Sequence, residues 1–190
     1  VHEGRHATRL RQLDEELERS REIFVSHYKE KYHMERPPIW GACEVMSFGN
    51  LSHFYSISHK HEQKQVAQTY GLQAETMKSL LEHAVYLRNL CAHHSRIWNR
   101  KLTVTLTLPR SQGPGLATSL DMAEHNDQES RKIYNSLVLL GHTQSVIFPH
   151  GDWKTRLIAH LDTLREIGLP LADMGFPSDW KERPFWMLSR

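Results

Sequence analysis

The sequence predicts an all-α fold, and three features carry that expectation. Apolar residues recur at helix-like spacings along most of the chain. Glycine, proline and small polar residues fall between those runs, where helices start and stop. Only one stretch, Leu102 to Leu108, alternates threonine with apolar residues in the period of a strand.

From Ala7 to about Tyr32, Leu10, Leu13, Leu17 and Phe24 stand in a Leu-, Arg- and Glu-rich background, which predicts one long amphipathic helix with a solvated charged face. Pro37 and Pro38 break it and open a helix over Ile39 to Ser47, since proline is tolerated in a first turn, and Gly49 ends that helix. Asn50 is the expected cap of a short helix carrying Leu51, Phe54 and Tyr55. A helix from Glu62 to Tyr70 follows, with Gly71 as its stop. The next helix runs from Ala74 to about Trp98. Leu102 to Leu108 reads as a short strand or extended segment, and Pro109 with the Ser111 to Gly115 run ends it in a long loop around residues 109–117. Two more helices are expected over Asp127 to Phe148 and Asp152 to Ile167, the second capped by Asp152 and stopped by Gly168. The tail from Gly175 to Trp186 sets Phe176, Trp180 and Trp186 among glycine and proline, and that much aromatic surface is expected to pack back on the helices.

A length of 190 residues suits one helical domain spanning the chain. With 39% hydrophobic and 24% charged residues the chain is neither disordered nor fibrous. The formal net charge of +2 is too small to demand a nucleic-acid partner but leaves room for a local basic patch. Fourteen histidines make the charge sensitive to mildly acidic pH. Cys43 and Cys91 lie far apart inside apolar helical patterns and read as buried thiols, which fits a reducing cytoplasm. No apolar run approaches the ~20 residues needed to span a bilayer, so no membrane partner is expected.

The helix from Ala74 carries the chemistry. At about 100° per residue, Met77, Leu80, Leu81, Ala84, Leu87 and Cys91 fall on one stripe, the expected core face. Glu82, Tyr86, Asn89 and His93 group on another flank, with Asn89 and His93 one turn apart. Arg88 falls inside the apolar stripe, where a guanidinium is costly without an anion. Its long side chain can carry the charge to the Asn89 and His93 flank, where a phosphate would be its partner.

Those residue types suit cleavage of an RNA phosphodiester by its own 2′-hydroxyl. A histidine moves protons near neutral pH, an arginine offsets charge on the phosphoryl oxygens, and Asn89 orients His93 or the phosphate. The competing reading is structural, a buried arginine pair and a satisfied histidine. His94, Arg96, Asn99 and Arg100 suit RNA phosphate oxygens, or else cap the helix and make contacts within the chain. Trp98 suits base stacking, or else a core or interface position. His53, His59 and His61, with His93 and His94, invite a zinc reading, but no Cys or carboxylate completes a spacing and a ligating His93 could not shuttle protons; no metal or other cofactor is expected. Neither a nucleophile elbow nor a glycine-rich phosphate loop is found.

The run Tyr86 to Arg100, Tyr-Leu-Arg-Asn-Leu-Cys-Ala-His-His-Ser-Arg-Ile-Trp-Asn-Arg, resembles the signature of the Abi-like (abortive infection) family. Two flanks agree with it in family order: Pro37 to Tyr55, with Pro-Pro-Ile-Trp and Ser-Phe-Gly-Asn-Leu-Ser, and Met174 to Trp186, with Met-Gly-Phe-Pro-Ser-Asp-Trp. That family is similar to the HEPN superfamily, whose motif is an arginine, a polar residue, three more residues and a histidine; Arg88, Asn89 and His93 match it. The resemblance implies a HEPN-like helical bundle, a homodimer with two motifs facing across a two-fold axis, and metal-independent endoribonuclease activity in a phage-defence effector or toxin. RNA is then the substrate, and an antitoxin or non-coding RNA a further expected partner. The alternative is a non-catalytic RNA-binding module of a defence complex. Relatives carry additional N-terminal helices, and a chain beginning at Val1 is expected to lack them.

Overall fold

The computed structural model describes residues 2–109, 115–122 and 131–187, and those residues form helices, turns and extended segments with no strand among them. The chain falls into two compact units, residues 1–63 and 64–190.

In the first unit, α1 (His2–Arg19) packs on α3 (Ile39–Val45) and α4 (Phe48–Ile57). Leu13, Leu17, Val25, Ala42 and Met46 form its core, with Phe24, Val45, Leu51 and Phe54 packed around them. The long helix expected over Ala7 to Tyr32 is broken, and α2 (Ile23–Tyr32) is separate. Ser20 is the cause: its hydroxyl accepts the Glu22 backbone N–H at 3.2 Å, an alternative to the helical ladder that serine offers. The break brings Phe24 and Val25 into the same core as Leu13 and Leu17.

Two further boundaries differ from expectation. Ser47, not Asn50, caps α4, its hydroxyl accepting the Asn50 N–H at 3.2 Å. Gly49 lies inside that helix instead of ending the previous one. Asn50 is buried and donates its side-chain amide to Glu16 at 3.0 Å, while the same carboxylate accepts the Ser47 N–H, so one acid on α1 fastens the start of α4.

Next comes α5 (Lys60–Thr69), which begins where Glu62 accepts the His59 N–H at 2.9 Å. Gly71 ends it as expected, in the left-handed region at φ 61°, with Leu72 N–H bonded to the Ala67 carbonyl and Gly71 N–H to that of Gln68. The second unit continues with α6 (Ala74–Ala92), α7 (Leu116–Ser119), α8 (Tyr134–Ile147) and α9 (Trp153–Glu166), then 3₁₀ turns at Leu171–Met174 and Trp180–Glu182. The same C-terminal arrangement closes α9 at Gly168, φ 82°.

Leu102 to Leu108 is extended without being a strand. Leu102, Leu106 and Leu108 are buried, while Ser79 on α6 accepts the Thr107 N–H at 2.8 Å. The expected loop at 109–117 falls partly on residues 110–114, outside the described residues; its end forms the single turn of α7. The helix expected from Asp127 starts at Tyr134, and residues 123–130 are outside the described residues. Arg131 is not helical, and its carbonyl accepts the Leu102 N–H at 2.9 Å.

The aromatic tail packs back on α8, as the sequence predicts. Tyr134, Phe176, Trp180 and Trp186 are buried against each other, with ring centroids 5.0 Å apart for Tyr134 and Phe176 and 4.9 Å for Trp180 and Trp186. Trp186 donates its indole N–H to the Tyr134 hydroxyl at 3.2 Å, which donates to the Ser119 carbonyl at 2.6 Å. Gly141 leaves space for Phe185 and Trp153, each of which a Cβ there would meet at 2.5 Å. Replacing Trp186 by Ala removes the centre of this cluster and is expected to destabilise the protein by about 3–5 kcal/mol. Urea denaturation followed by circular dichroism reads that loss, and a change under 1 kcal/mol, about what a surface site gives, would sink the assignment.

Candidate functional site

The site is set by which way α6 is turned. Its buried face holds Thr76, Met77, Leu80, His83, Leu87 and Leu90. Of the expected stripe, Leu81 and Ala84 are only half-buried and Cys91 is exposed, so it is not a buried thiol. The stripe is displaced because His83 belongs to it. Only 2% of His83 is exposed, and both ring nitrogens are satisfied at 2.7 Å. The Val104 carbonyl can only accept, so Nδ1–H donates to it and Nε2 accepts from the Ser136 hydroxyl. Burial holds the imidazole below the ordinary histidine range, although the bond to Val104 works the other way.

Turned in this way, α6 exposes Arg88, Asn89 and His93. The expectation that Arg88 lies in the apolar stripe is therefore corrected: its guanidinium is in solvent and donates to the Asn89 side-chain carbonyl at 3.2 Å. Five residues of helix separate Arg88 from His93 by about 140°, and the bond to Asn89 draws the guanidinium toward the His93 flank. A cation, an amide and an imidazole thus share the exposed C-terminal end of one helix.

That end is closed without glycine. His93 is the cap residue, its N–H on the Asn89 carbonyl at 3.0 Å. His94 occupies the left-handed position at φ 50°, where Gly71 and Gly168 stand in α5 and α9. Its N–H meets the Cys91 carbonyl, and the Ser95 N–H meets that of Leu90 at 2.8 Å. The helix expected to reach Trp98 therefore stops at Ala92.

Of the four residues expected to hold RNA, His94 and Arg96 are exposed. Asn99 has φ 46° and accepts a hydrogen bond from Lys132 at 2.5 Å. Arg100 is half-buried, donates to the Arg96 carbonyl at 3.4 Å and lies beside the Tyr86 hydroxyl. Burial pushes the Tyr86 phenol up, but hydrogen bonds from Thr103 and Arg100 outweigh it and hold the group below the ordinary tyrosine range. Trp98 is half-buried.

The structure adds Arg131 and Lys132, which sequence reasoning passed over. The Leu102 to Arg131 backbone bond and the Lys132 to Asn99 bond place them beside residues 99–102. A signal was present: no Asp or Glu stands between Glu82 and Asp121, while Arg88, Arg96, Arg100 and Lys101 do. Among the described residues, Arg88, Arg96, Arg100 and Arg131 form no ion pair. A cavity of about 570 Å³ lies elsewhere, against Asp14, Leu17, Lys29 and His33 of the first unit, and contains no motif residue. The rings of His59 and His61 stack at 5.9 Å, but among the described residues no three His, Cys, Asp or Glu side chains gather as a metal site.

Fold and site together define an all-helical protein with an exposed Arg, Asn and His cluster in an acid-free stretch. The chain belongs to the Abi-like protein family, whose model matches residues 1–99, from α1 through the motif. No curated protein and no solved structure matches it. Among the described residues no helix is long and apolar enough to cross a membrane.

Two outcomes test this geometry. The folded His83 has a lowered pKa, so below about 6.5 the unfolded chain binds more protons than the folded one. The stabilisation from neutral His83 is therefore complete above that value and declines as pH falls toward the folded pKa. Denaturation from pH 8 to 5 should show the stability gap between wild type and His83→Gln narrowing below about pH 6.5; a constant gap contradicts the buried neutral ring. Replacing His94 by Gly removes the left-handed penalty at a small entropic loss, and is expected to stabilise by about 1 kcal/mol. A lowered melting temperature would show that His94 does not hold that conformation.

Proposed function

We propose that this Abi-like protein is a phage-defence endoribonuclease of the HEPN type, an effector or toxin acting in the cytoplasm, with Arg88, Asn89 and His93 as its catalytic residues. The observation that carries the reading is the joint exposure of those three side chains, with Arg88 bonded to Asn89 at 3.2 Å, in a stretch free of carboxylates. An acid there would repel a phosphate, and none is present between Glu82 and Asp121.

The chemistry follows from the groups. A base removes the proton of the 2′-hydroxyl, its oxygen bonds to phosphorus, and the 5′-oxygen of the next nucleotide leaves with a proton from an acid. The products are a 2′,3′-cyclic phosphate and a 5′-hydroxyl. Arg88 offsets charge on the phosphoryl oxygens, and Asn89 orients Arg88 and the phosphate. One imidazole cannot accept and donate in the same step, so the His93 rings of two copies across a two-fold axis divide the roles. His94 and Arg96 hold the flanking strand. This mechanism needs no metal or cofactor, and an antitoxin or non-coding RNA is the natural restraint on such an activity.

The rival is an RNA-binding module without catalysis, and one observation favours it: no hydrogen bond orients the His93 ring among the described residues. Substrate or a second copy must supply that orientation for catalysis. His93→Ala is expected to lower RNA cleavage by at least about 100-fold while sparing RNA affinity, with wild-type cleavage unaffected by EDTA. Gel assays of product ends and fluorescence anisotropy measure the two quantities. Wild-type protein that binds varied RNAs but cleaves none would establish the binding module instead.

A further inference from the structure

Two guanidinium groups, those of Arg100 and Arg131, carry a donor that finds no acceptor among the described residues. The Nε–H groups of Arg100 and Arg131 are buried without a hydrogen-bond partner, although each residue as a whole is only half-buried. An unmet buried donor costs about 1–3 kcal/mol, more when it is charged, so native proteins rarely keep two at one place without an outside acceptor.

The two arginines belong to one junction. The Arg131 carbonyl accepts the Leu102 N–H at 2.9 Å, and neighbouring Lys132 donates to Asn99 at 2.5 Å, which fixes residues 131 and 132 against residues 99–102. Arg100 also reaches Tyr86, on the same flank of α6 as Asn89 and His93. From Tyr86 to His93 the helix rises only about 10 Å. An anion is the acceptor that best suits a guanidinium, and neither arginine is ion-paired among the described residues, while residues 83–120 contain no carboxylate.

We infer that Arg100 and Arg131 form a phosphate subsite that grips the RNA strand at a phosphodiester neighbouring the one bound by Arg88 and His93. It rests on the reading of RNA as the ligand, and it assigns a role to Arg131, which stands outside the motif. Each arginine offers a planar pair of N–H donors that fits a phosphate, and Tyr86 keeps Arg100 in place. Holding a second phosphate fixes the strand's direction across the motif, which a single phosphate contact cannot do.

A 2′-O-methyl RNA oligonucleotide tests this, because it cannot be cleaved through its 2′-oxygen and reports binding alone. Anisotropy titrations over a range of salt should show Arg131→Gln binding about tenfold more weakly, with the slope of log affinity against log salt reduced by about one. Arg131→Lys, which preserves the charge and guards against simple misfolding, should keep the slope and still lose several-fold in affinity because the fork is gone. Neutral methylphosphonate linkages placed one at a time should reveal one position that weakens wild type and leaves Arg131→Gln unchanged. Wild-type affinity and slope in both variants, or no such position, overturn the subsite while leaving the nuclease reading intact. Weakened variants alongside uncleaved natural RNA would uphold the subsite and remove the nuclease reading. If the wild-type protein binds no RNA, both fall.

Discussion

The pair of hydrogen bonds on the buried His83 ring fixes the rotation of α6, and the exposed chemistry of the second unit depends on that rotation. A histidine has no intrinsic preference for an apolar face. It enters one here because a backbone carbonyl at Val104 and a hydroxyl at Ser136 meet its two nitrogens. With His83 inside, Leu80, Leu87 and Leu90 follow at helical spacing, and Arg88 and Asn89 are carried out to solvent. A face centred on Leu81, Ala84 and Cys91 would have turned the guanidinium inward.

Three consecutive residues at the start of α8 support this arrangement from different directions. Tyr134 takes the indole N–H of Trp186 and donates to Ser119, Asn135 exchanges two hydrogen bonds with the Asp121 backbone, and Ser136 holds His83. The aromatic tail therefore acts on the site through α8, far from the motif in sequence. Small polar side chains at a helix start readily make such bonds, and burial strengthens them by excluding water.

Much of the fold was legible because it rests on local chemistry. Gly71 and Gly168 announce helix ends through the left-handed conformation they adopt, and Phe176, Trp180 and Trp186 announce a packed tail by the apolar surface they carry. The alternation in Leu102 to Leu108 pointed to an extended segment, but not to its partners, which lie on α6 and at Arg131 instead of on another strand. What escaped notice depends on distant partners. His83 looks like any polar residue until Val104 and Ser136 are placed around it. His94 gives little warning that it ends a helix, since a positive φ is uncommon for any residue but glycine, histidine included. Arg88, Asn89 and His93 were picked out by residue type and family resemblance, with Asn89 and His93 expected on a polar flank, while the exposure of Arg88 followed from the unforeseen turn of α6.

The distribution of charge gives the site its electrostatic character despite a formal net charge of only +2. Several acids elsewhere are paired with bases: Asp14 with Arg36, Asp162 with Lys181 and Asp179 with Arg183. No such neutralisation reaches Arg88, Arg96, Arg100 or Arg131 among the described residues. Within a screening length of ~8 Å at physiological salt, an ion feels its neighbours far more than the molecule's net charge. A polyanion approaching the end of α6 meets unpaired cations and no carboxylate from residues 83–120, so attraction is local and strengthens as each successive phosphate comes within reach.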